Sequence, residues 1–149
     1  MLSVTPISRE IGETENVLRA LLSEVLANTP VRTYLAYLGM SILTAAPAGM
    51  PRNQLARQVA RSARVPGEET AVVVDNLEVT GLIVNLPGQS DVMIPSDRGA
   101  AAMQAIRSEV AKVSQRVYEG IPEDDLVIAK RTLATIHERA SAEVARGAG

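Results

Sequence analysis

The chain has 149 residues, of which 46% are hydrophobic, and this is sufficient for one domain with a substantial core. It contains no Cys, Phe or Trp and only three Tyr, which excludes disulfides and thiolate metal sites and leaves no set of aromatic rings for stacking single-stranded nucleic acid. The formal net charge of −2 gives no general attraction to nucleic acid, so any affinity for DNA must come from a local cluster of basic residues.

The N-terminal segment and the residue types available for catalysis indicate a cytoplasmic protein that is not an enzyme. Residues 1–10 have neither a basic start nor an apolar core, and no later stretch reaches the ~18 apolar residues that a membrane-spanning helix needs. His137, the one histidine, has no recognisable nucleophile or metal-ligand pattern around it, and Glu123, Asp124 and Asp125 are typical of an acidic first helical turn. We therefore expect no catalysis, no cofactor, no metal and no membrane association.

Two helices are predicted in the first third of the chain, after an irregular lead-in over residues 1–10. Over residues 11–28 the apolar residues recur with helical spacing, until the sequence Asn-Thr-Pro at 28–30 ends the helix. Residues 31–44 show the same spacing and stop before the sequence Ala-Pro-Ala-Gly at 46–49. The second of these helices is expected to belong to the core.

The next segment, residues 51–98, is predicted to form two helices followed by a β-hairpin. Pro51 suits the first turn of one helix, and Pro66-Gly67 separates it from a second helix that ends near Gly81. Apolar runs and a Pro-Gly turn then predict two short strands. The strands cover residues 82–86 and 92–94, and the turn covers residues 87–90.

Two long helices are predicted after Ser96, which can cap the first of them. Their apolar residues step by three and four positions along a narrow seam, and a break at 120–123 separates the two helices. Because these seams and the N-terminal helix offer more apolar surface than a small domain can cover, we expect a symmetric homodimer held by residues 11–28 and 99–145. A helical bundle within one chain is the alternative.

The first helix of the central pair carries a basic stripe, and the second is acidic. Residues 51–64 contain four arginines and no acidic residue, which favours contacts with DNA phosphates but also occurs on ordinary solvent-exposed helices. Residues 65–81 contain four acidic residues and no Lys or Arg, and a carboxylate can accept a base hydrogen bond only from cytosine. Asn76 is the one amide in this segment, and the hairpin tip carries Asp91 without a cation.

The order of these features resembles the winged helix-turn-helix regulators of the MarR family. The resemblance rests on QLA, a helix closing on DNLEVTGLI, and a hairpin leading to SDRG and a long helix, and it covers nearly the whole chain. It implies a mostly α (α+β) fold in a single domain over 1–149, with a winged helix-turn-helix at 31–98, a small β-hairpin wing, and dimerisation helices at 11–28 and 99–145. It also implies a transcriptional regulator whose dimer occupies operator DNA at two sites about 34 Å apart.

The resemblance assigns two groups of residues to ligands. Those expected to bind double-stranded operator DNA are Arg52, Asn53, Gln54, Arg57, Arg61, Arg64, Thr70, Asn76, Gln89 and Arg98. Members of the family also bind small aromatic effectors between the dimer helices and the winged domain. The residues expected around such an effector are Leu18, Tyr34, Tyr37, Met40 and Met103, for which simple core packing is the alternative.

The acidic second helix leaves another hypothesis open. A winged-helix protein that has lost DNA binding could use Glu68, Asp75 and the exposed valines of this helix to contact a basic protein surface. Binding to duplex DNA with a steep salt dependence would distinguish the first hypothesis from the second.

Overall fold

The computed structural model describes residues 5–148, which form six helices and a three-stranded sheet. The elements in chain order are α1 (Ser8–Leu26), α2 (Tyr34–Thr44), β1 (Met50–Pro51), α3 (Arg52–Ala63), α4 (Gly67–Val79), β2 (Ile83–Leu86), β3 (Gln89–Pro95), α5 (Asp97–Tyr118) and α6 (Glu123–Gly147). Contacts between residues divide the chain into two compact units at the boundary between residues 111 and 112.

The connection between α1 and α2 is held by two threonine side chains. The hydroxyl of Thr29 donates to the carbonyl oxygen of Leu26 over 2.9 Å and accepts the N–H of Val31 over 3.1 Å. The hydroxyl of Thr33 accepts the N–H of Ala36 over 3.1 Å, which satisfies one of the unpaired donors at the start of α2.

Several helix ends differ from the sequence prediction by a few residues. The Thr33 cap makes α2 begin at Tyr34 instead of residue 31, and α1 begins at Ser8, inside the predicted lead-in. Residues 1–4 of that lead-in, and Gly149 of the predicted frayed end, lie outside the described residues. The last helix continues to Gly147, beyond residue 145. The periodicity of apolar residues predicts the position of a helix end poorly, because capping interactions determine where the helix ends.

The sheet has the strand order β1-β3-β2, and both pairs are antiparallel. β2 and β3 form the predicted hairpin, but its loop is only Pro87-Gly88, because Leu86 already pairs with Gln89. β1 was not predicted: Met50 pairs with Met93, and Pro51 is the last residue of this strand instead of part of a first helical turn. Two residues are too few to show the alternation of a strand in the sequence. They form a strand only through their pairing with β3, which is distant in the chain.

Helix α4 ends in a hydrogen-bonded motif around a left-handed glycine. At the end of α4, Gly81 has φ +78°, its N–H reaches the carbonyl of Glu78 over 3.0 Å, and the N–H of Leu82 reaches the carbonyl of Leu77 over 2.9 Å. This pattern satisfies two carbonyls that the helix leaves without partners, and its left-handed residue is usually glycine. Gly81 therefore ends the helix where the sequence predicted.

The start of α5 is fixed to the end of α4 through the residues Ser96 and Gly99. The hydroxyl of Ser96 donates to the carbonyl of Gly81 over 2.5 Å and accepts the N–H of Gly99 over 3.0 Å, which confirms the predicted cap. The N–H of Ser96 donates to the carbonyl of Leu82 over 3.0 Å. Gly99 packs so closely on that carbonyl that a Cβ atom at this position would lie 2.0 Å from its oxygen.

The hydrophobic core lies in the first unit. Its fully buried large side chains come from the last residue of α1, from α2, α3 and α4, from the sheet, from the N-terminal half of α5, and from the connections before α2 and β2. They are Leu26, Val31, Met40, Leu43, Leu55, Val59, Val74, Leu82, Ile83, Met93, Met103 and Ile106. This arrangement of helices and wing is the fold class that the sequence predicted. In the second unit, by contrast, no residue from 112 to 148 is buried.

We expect Gly99→Ala to destabilise the protein by about 3 kcal/mol, because its methyl group has no space beside the Leu82 carbonyl and the backbone must move. Gly67→Ala is the matched control, since no atom lies within 4 Å of that position, and its effect should stay within about 0.5 kcal/mol. Urea unfolding followed by circular dichroism at one protein concentration measures both. Equal midpoints for the two variants would contradict this account of the α4–α5 junction.

Candidate nucleic-acid interface

Three arginines lie along the outer side of α3. Arg57 and Arg61 are one turn apart, Arg64 follows directly after the helix, and all three are exposed. Leu55 and Val59, on the other side of the helix, are fully buried. Within residues 5–148 none of the three guanidinium groups has an ion-pair partner. This outer side of α3 is therefore a positively charged surface that is available to an anion.

Arg64 occupies a backbone conformation that normally favours glycine. It has φ 54° and ψ 48°, and within residues 5–148 it is the one non-glycine residue with positive φ. The N–H of Val65 reaches the carbonyl of Ala60 over 3.1 Å, so Arg64 stands where Gly81 stands at the end of α4. A left-handed conformation costs a residue with a Cβ atom roughly 1–2 kcal/mol.

The fourth arginine of the stripe, Arg52, has a different environment. Its Nη1 lies 2.7 Å from Oδ1 of Asp75, and its Nη2 contacts Oε1 of Glu78. One guanidinium at the start of α3 thus joins two carboxylates that lie almost one turn apart on α4. The predicted phosphate contact of Arg52 would compete with these ion pairs, which involve two of the four acidic residues of α4.

The outer side of α4 mixes apolar and polar side chains. Ala71, Val72 and, in the last turn, Val79 are exposed, and Asp75 and Asn76 are exposed between them. Thr70 was predicted to contact DNA, but it is 0% exposed and therefore cannot reach it. Its hydroxyl donates instead to the carbonyl of Gly67 over 2.9 Å. Thr70 belongs to the core because it shares the inward side of α4 with Val74.

The remaining residues predicted to bind DNA lie at separate places. Asn53 is exposed and Gln54 half-buried on the first turn of α3, and Gln89 is exposed beside the Pro-Gly loop of the hairpin. Asn76 and Arg98 line a cavity of 450 Å³ between the start of α2, α4 and the start of α5. The guanidinium of Arg98 also donates to the carbonyl of Thr80, at the end of α4.

A second cavity, of 400 Å³, lies between α2 and α5 and contains part of the predicted effector group. Tyr37 and Met103 line it. The other lining residues were not predicted to contact an effector, although most of them follow Tyr37 or Met103 at helical spacing. They are Ser41, Thr44, Ala45 and Arg107. The structure does not place the rest of the group in this cavity.

Leu18, Tyr34 and Met40 are the members of the effector group that do not line the α2–α5 cavity. Met40 is fully buried in the core, and Leu18 is partly exposed on α1. The ring of Tyr34 packs under the guanidinium of Arg19, whose carbon lies 4.6 Å from the ring centroid.

The described residues form neither a metal-binding cluster nor a membrane-spanning helix. In residues 5–148, no group of three or more His, Cys, Asp and Glu side chains is placed to hold a metal ion. Within the same residues, no helix is both long and apolar enough to cross a membrane. His137 lies exposed on α6.

Two helices joined by a tight turn and followed by an antiparallel hairpin define a winged helix-turn-helix protein. The fold is that of the MarR-family regulators. A MarR-family transcriptional regulator from Rhodococcus sp. RHA1 superposes with a TM-score of 0.68 at 21% identity, covering 89% of this chain and 96% of that one. CouR from Rhodococcus jostii RHA1, crystallised with p-coumaroyl-CoA, gives 0.70 at 20% identity, covering 88% and 91%.

A third structure of this fold contains DNA. It is the Mycobacterium tuberculosis MarR family protein Rv2887 in complex with DNA, with a TM-score of 0.67 and 21% identity over 89% of this chain and 98% of that one. No family model and no curated protein matches the sequence. At these identities the likeness establishes the fold, and the functional argument has to come from the side chains.

We expect Arg52→Met to lower the free energy of unfolding by about 1 kcal/mol, since it leaves Asp75 and Glu78 without their shared cation. The loss should shrink in 1 M salt, where the Debye length falls to about 3 Å. Arg57→Met is the matched control, because that arginine has no ion-pair partner within residues 5–148, and it should change stability by less than about 0.5 kcal/mol. Urea unfolding at low and high salt tests both, and a salt-independent loss would argue against the ion pairs.

Proposed function

We propose that this protein is a MarR-like transcriptional regulator that acts in the cytoplasm as a dimer, binds operator DNA through α3, α4 and the wing, and is not an enzyme. The observation that carries the proposal is the group of three unpaired, exposed arginines at positions 57, 61 and 64, directly before α4 in a helix-turn-helix fold. Rv2887, a protein of the same fold, has been crystallised with DNA.

The backbone of Arg64 gives independent support for an anionic partner. A glycine at this position would relieve the left-handed conformation, whereas the arginine places a positive charge at the turn between α3 and α4. A strained position that carries a charged side chain points to a function for that charge. A phosphate of the DNA backbone is the group that this cation would contact.

The ion pairs of Arg52 weaken the alternative in which α4 binds a basic protein. Of the four acidic residues of this helix, Asp75 and Glu78 already share an ion pair with Arg52, which offsets one of their two charges. The other two, Glu68 and Glu69, lie in the first turn, where the helix dipole stabilises negative charge. The acidic composition of α4 thus has an explanation within the chain.

We expect the full-length protein to bind mixed duplex DNA with an affinity that falls steeply with salt. Arg61→Ala should weaken binding to all sequences alike and reduce the log–log salt slope by about 0.9, the contribution of one phosphate. Arg64→Gly should reduce the slope equally while raising the unfolding free energy by about 1 kcal/mol, because it removes the strain.

Fluorescence anisotropy over a salt series measures these slopes. Arg131→Ala is the control, since it removes one exposed arginine from α6 and should leave the slope unchanged. If Arg61→Ala also left the affinity and the slope unchanged, the phosphate assignment would be wrong. Absence of any DNA binding at low salt would overturn the proposed function.

The second unit supports the proposed dimer. None of the 25 residues of α6 is buried, although the helix carries large apolar side chains at helical spacing. Those exposed by more than about a third are Val127, Ile128, Leu133, Ile136 and Val144. Val17 and Leu18 on α1, and Ile7 directly before it, are exposed in the same way. A second copy of the chain would remove this surface from water, which is the main driving force of association.

We expect size-exclusion chromatography with light scattering to give twice the mass of the 149-residue chain. Leu133→Asp should raise the dimer dissociation constant at least 100-fold, on the order of 3 kcal/mol, because it places a charge in an apolar interface. Ser62→Asp adds the same charge at an exposed position of α3, outside the proposed interface, and should leave the dimer intact. A monomeric wild-type protein would contradict the dimer.

The cavity between α2 and α5 is the proposed site of a small aromatic effector. Its lining combines the ring of Tyr37 and the thioether of Met103 with the hydroxyls of Ser41 and Thr44 and the guanidinium of Arg107. Such a mixture of apolar contact and a few polar groups is typical of small-molecule sites. CouR, a protein of the same fold, has been crystallised with p-coumaroyl-CoA.

A further inference from the structure

The outer side of α4 exposes two valines at positions where a DNA-reading helix normally carries polar groups, and Asp75 and Asn76 lie exposed between them. The side chain of Val72 is 58% exposed, Ala71 beside it is exposed, and Val79 is 84% exposed. Positions seven apart on a helix differ by about 20° in direction, so Val72 and Val79 lie on the same side, about 10.5 Å apart along the axis. Leaving two valines in water has no benefit for the folded chain alone.

The charges around this surface indicate a polyanionic occupant. On α3, Arg57, Arg61 and Arg64 have no ion-pair partner within residues 5–148. Arg52, at the start of α3, pairs with the two carboxylates that follow Val72 on α4, those of Asp75 and Glu78, and offsets one of their two negative charges. The free positive charges lie on the helix that precedes α4.

The major groove of DNA contains one apolar group, the C5 methyl of thymine. We propose that Val72, with Ala71 beside it, reads thymine methyl groups in the operator, so that each half-site has a required thymine opposite Val72. This inference rests on the proposed function, since it presupposes that α4 enters the major groove. It assigns specificity to a helix that lacks Arg, Lys and Gln, the residues that most often read bases by hydrogen bonds.

The experiment begins with selection of duplexes from a randomised pool by the full-length wild-type protein. Each thymine of the selected half-site is then replaced by deoxyuridine, which removes only the methyl group, and the dissociation constant is measured by anisotropy at fixed salt. Replacement at one thymine of each half-site should weaken binding about four-fold per half-site, which is the contribution of one buried methyl group.

A double-mutant cycle identifies the protein side of this contact. In the Val72→Ala protein the same replacement should have no effect, because the partner of the methyl group is absent. Val79→Ala is the matched control: it truncates a valine on the same side of the same helix, two turns away, and should retain the four-fold effect. Thermal unfolding and the salt slope on mixed DNA should be unchanged in both variants, since neither touches the core or the arginines.

The possible results distinguish methyl reading by Val72 from DNA binding itself. If the wild-type protein selects a sequence but no thymine-to-deoxyuridine replacement weakens binding, or if the effect persists in Val72→Ala, methyl reading by Val72 is overturned while DNA binding stands. If the wild-type protein selects no sequence and shows no salt-dependent binding, the proposed function and this inference both fail.

Discussion

The carbonyl oxygen of Leu82 lies at the point where the hairpin leaves α4 and where α5 begins. It accepts the N–H of Ser96 over 3.0 Å. Gly99 packs against it so closely that there is no space for a Cβ atom at position 99. The same stretch of backbone ends α4 through hydrogen bonds to Leu77 and Glu78. Helix α4, the wing and the start of α5 therefore meet at one closely packed junction, so the geometry of the DNA contact that we propose for α4 depends on this packing.

The four arginines of the winged region differ in whether they are paired with carboxylates. Arg52 faces inward across the helix pair and holds two carboxylates of α4, whereas Arg57, Arg61 and Arg64 remain free. A net charge of −2 for the whole chain hides this local separation. In the function that we propose, the long-range attraction to a polyanion comes from these free arginines, and the reading of its bases comes from Val72 of α4.

The two units differ in the way they gain stability. The first unit encloses a core in which large side chains from α2, α3, α4, α5 and the sheet are fully buried. Residues 112–148 bury nothing within a single chain. The winged region is thus stabilised by its own core, whereas the segment after residue 111 leaves the apolar surface that the proposed dimer would bury.

The sequence by itself determined what depends on neighbouring residues. Helical spacing predicted six helices, Ser96 was identified as a cap, and Gly81 as a helix end, because these features are local in the chain. The inward side of α4 also followed from spacing, and the same spacing should have excluded Thr70 from the surface. The fold class could therefore be predicted with its hairpin wing.

Tertiary structure decided what depends on partners far apart in the chain. β1 exists only because Met50 meets Met93, and Arg52 is neutralised by carboxylates 23 and 26 residues away. The cavity that joins Tyr37 to Met103 and Arg107 likewise needs α2 and α5 to be side by side. A sequence period records which side of a helix is apolar, but it does not record which side chain on another element will face it, because that choice is made by packing.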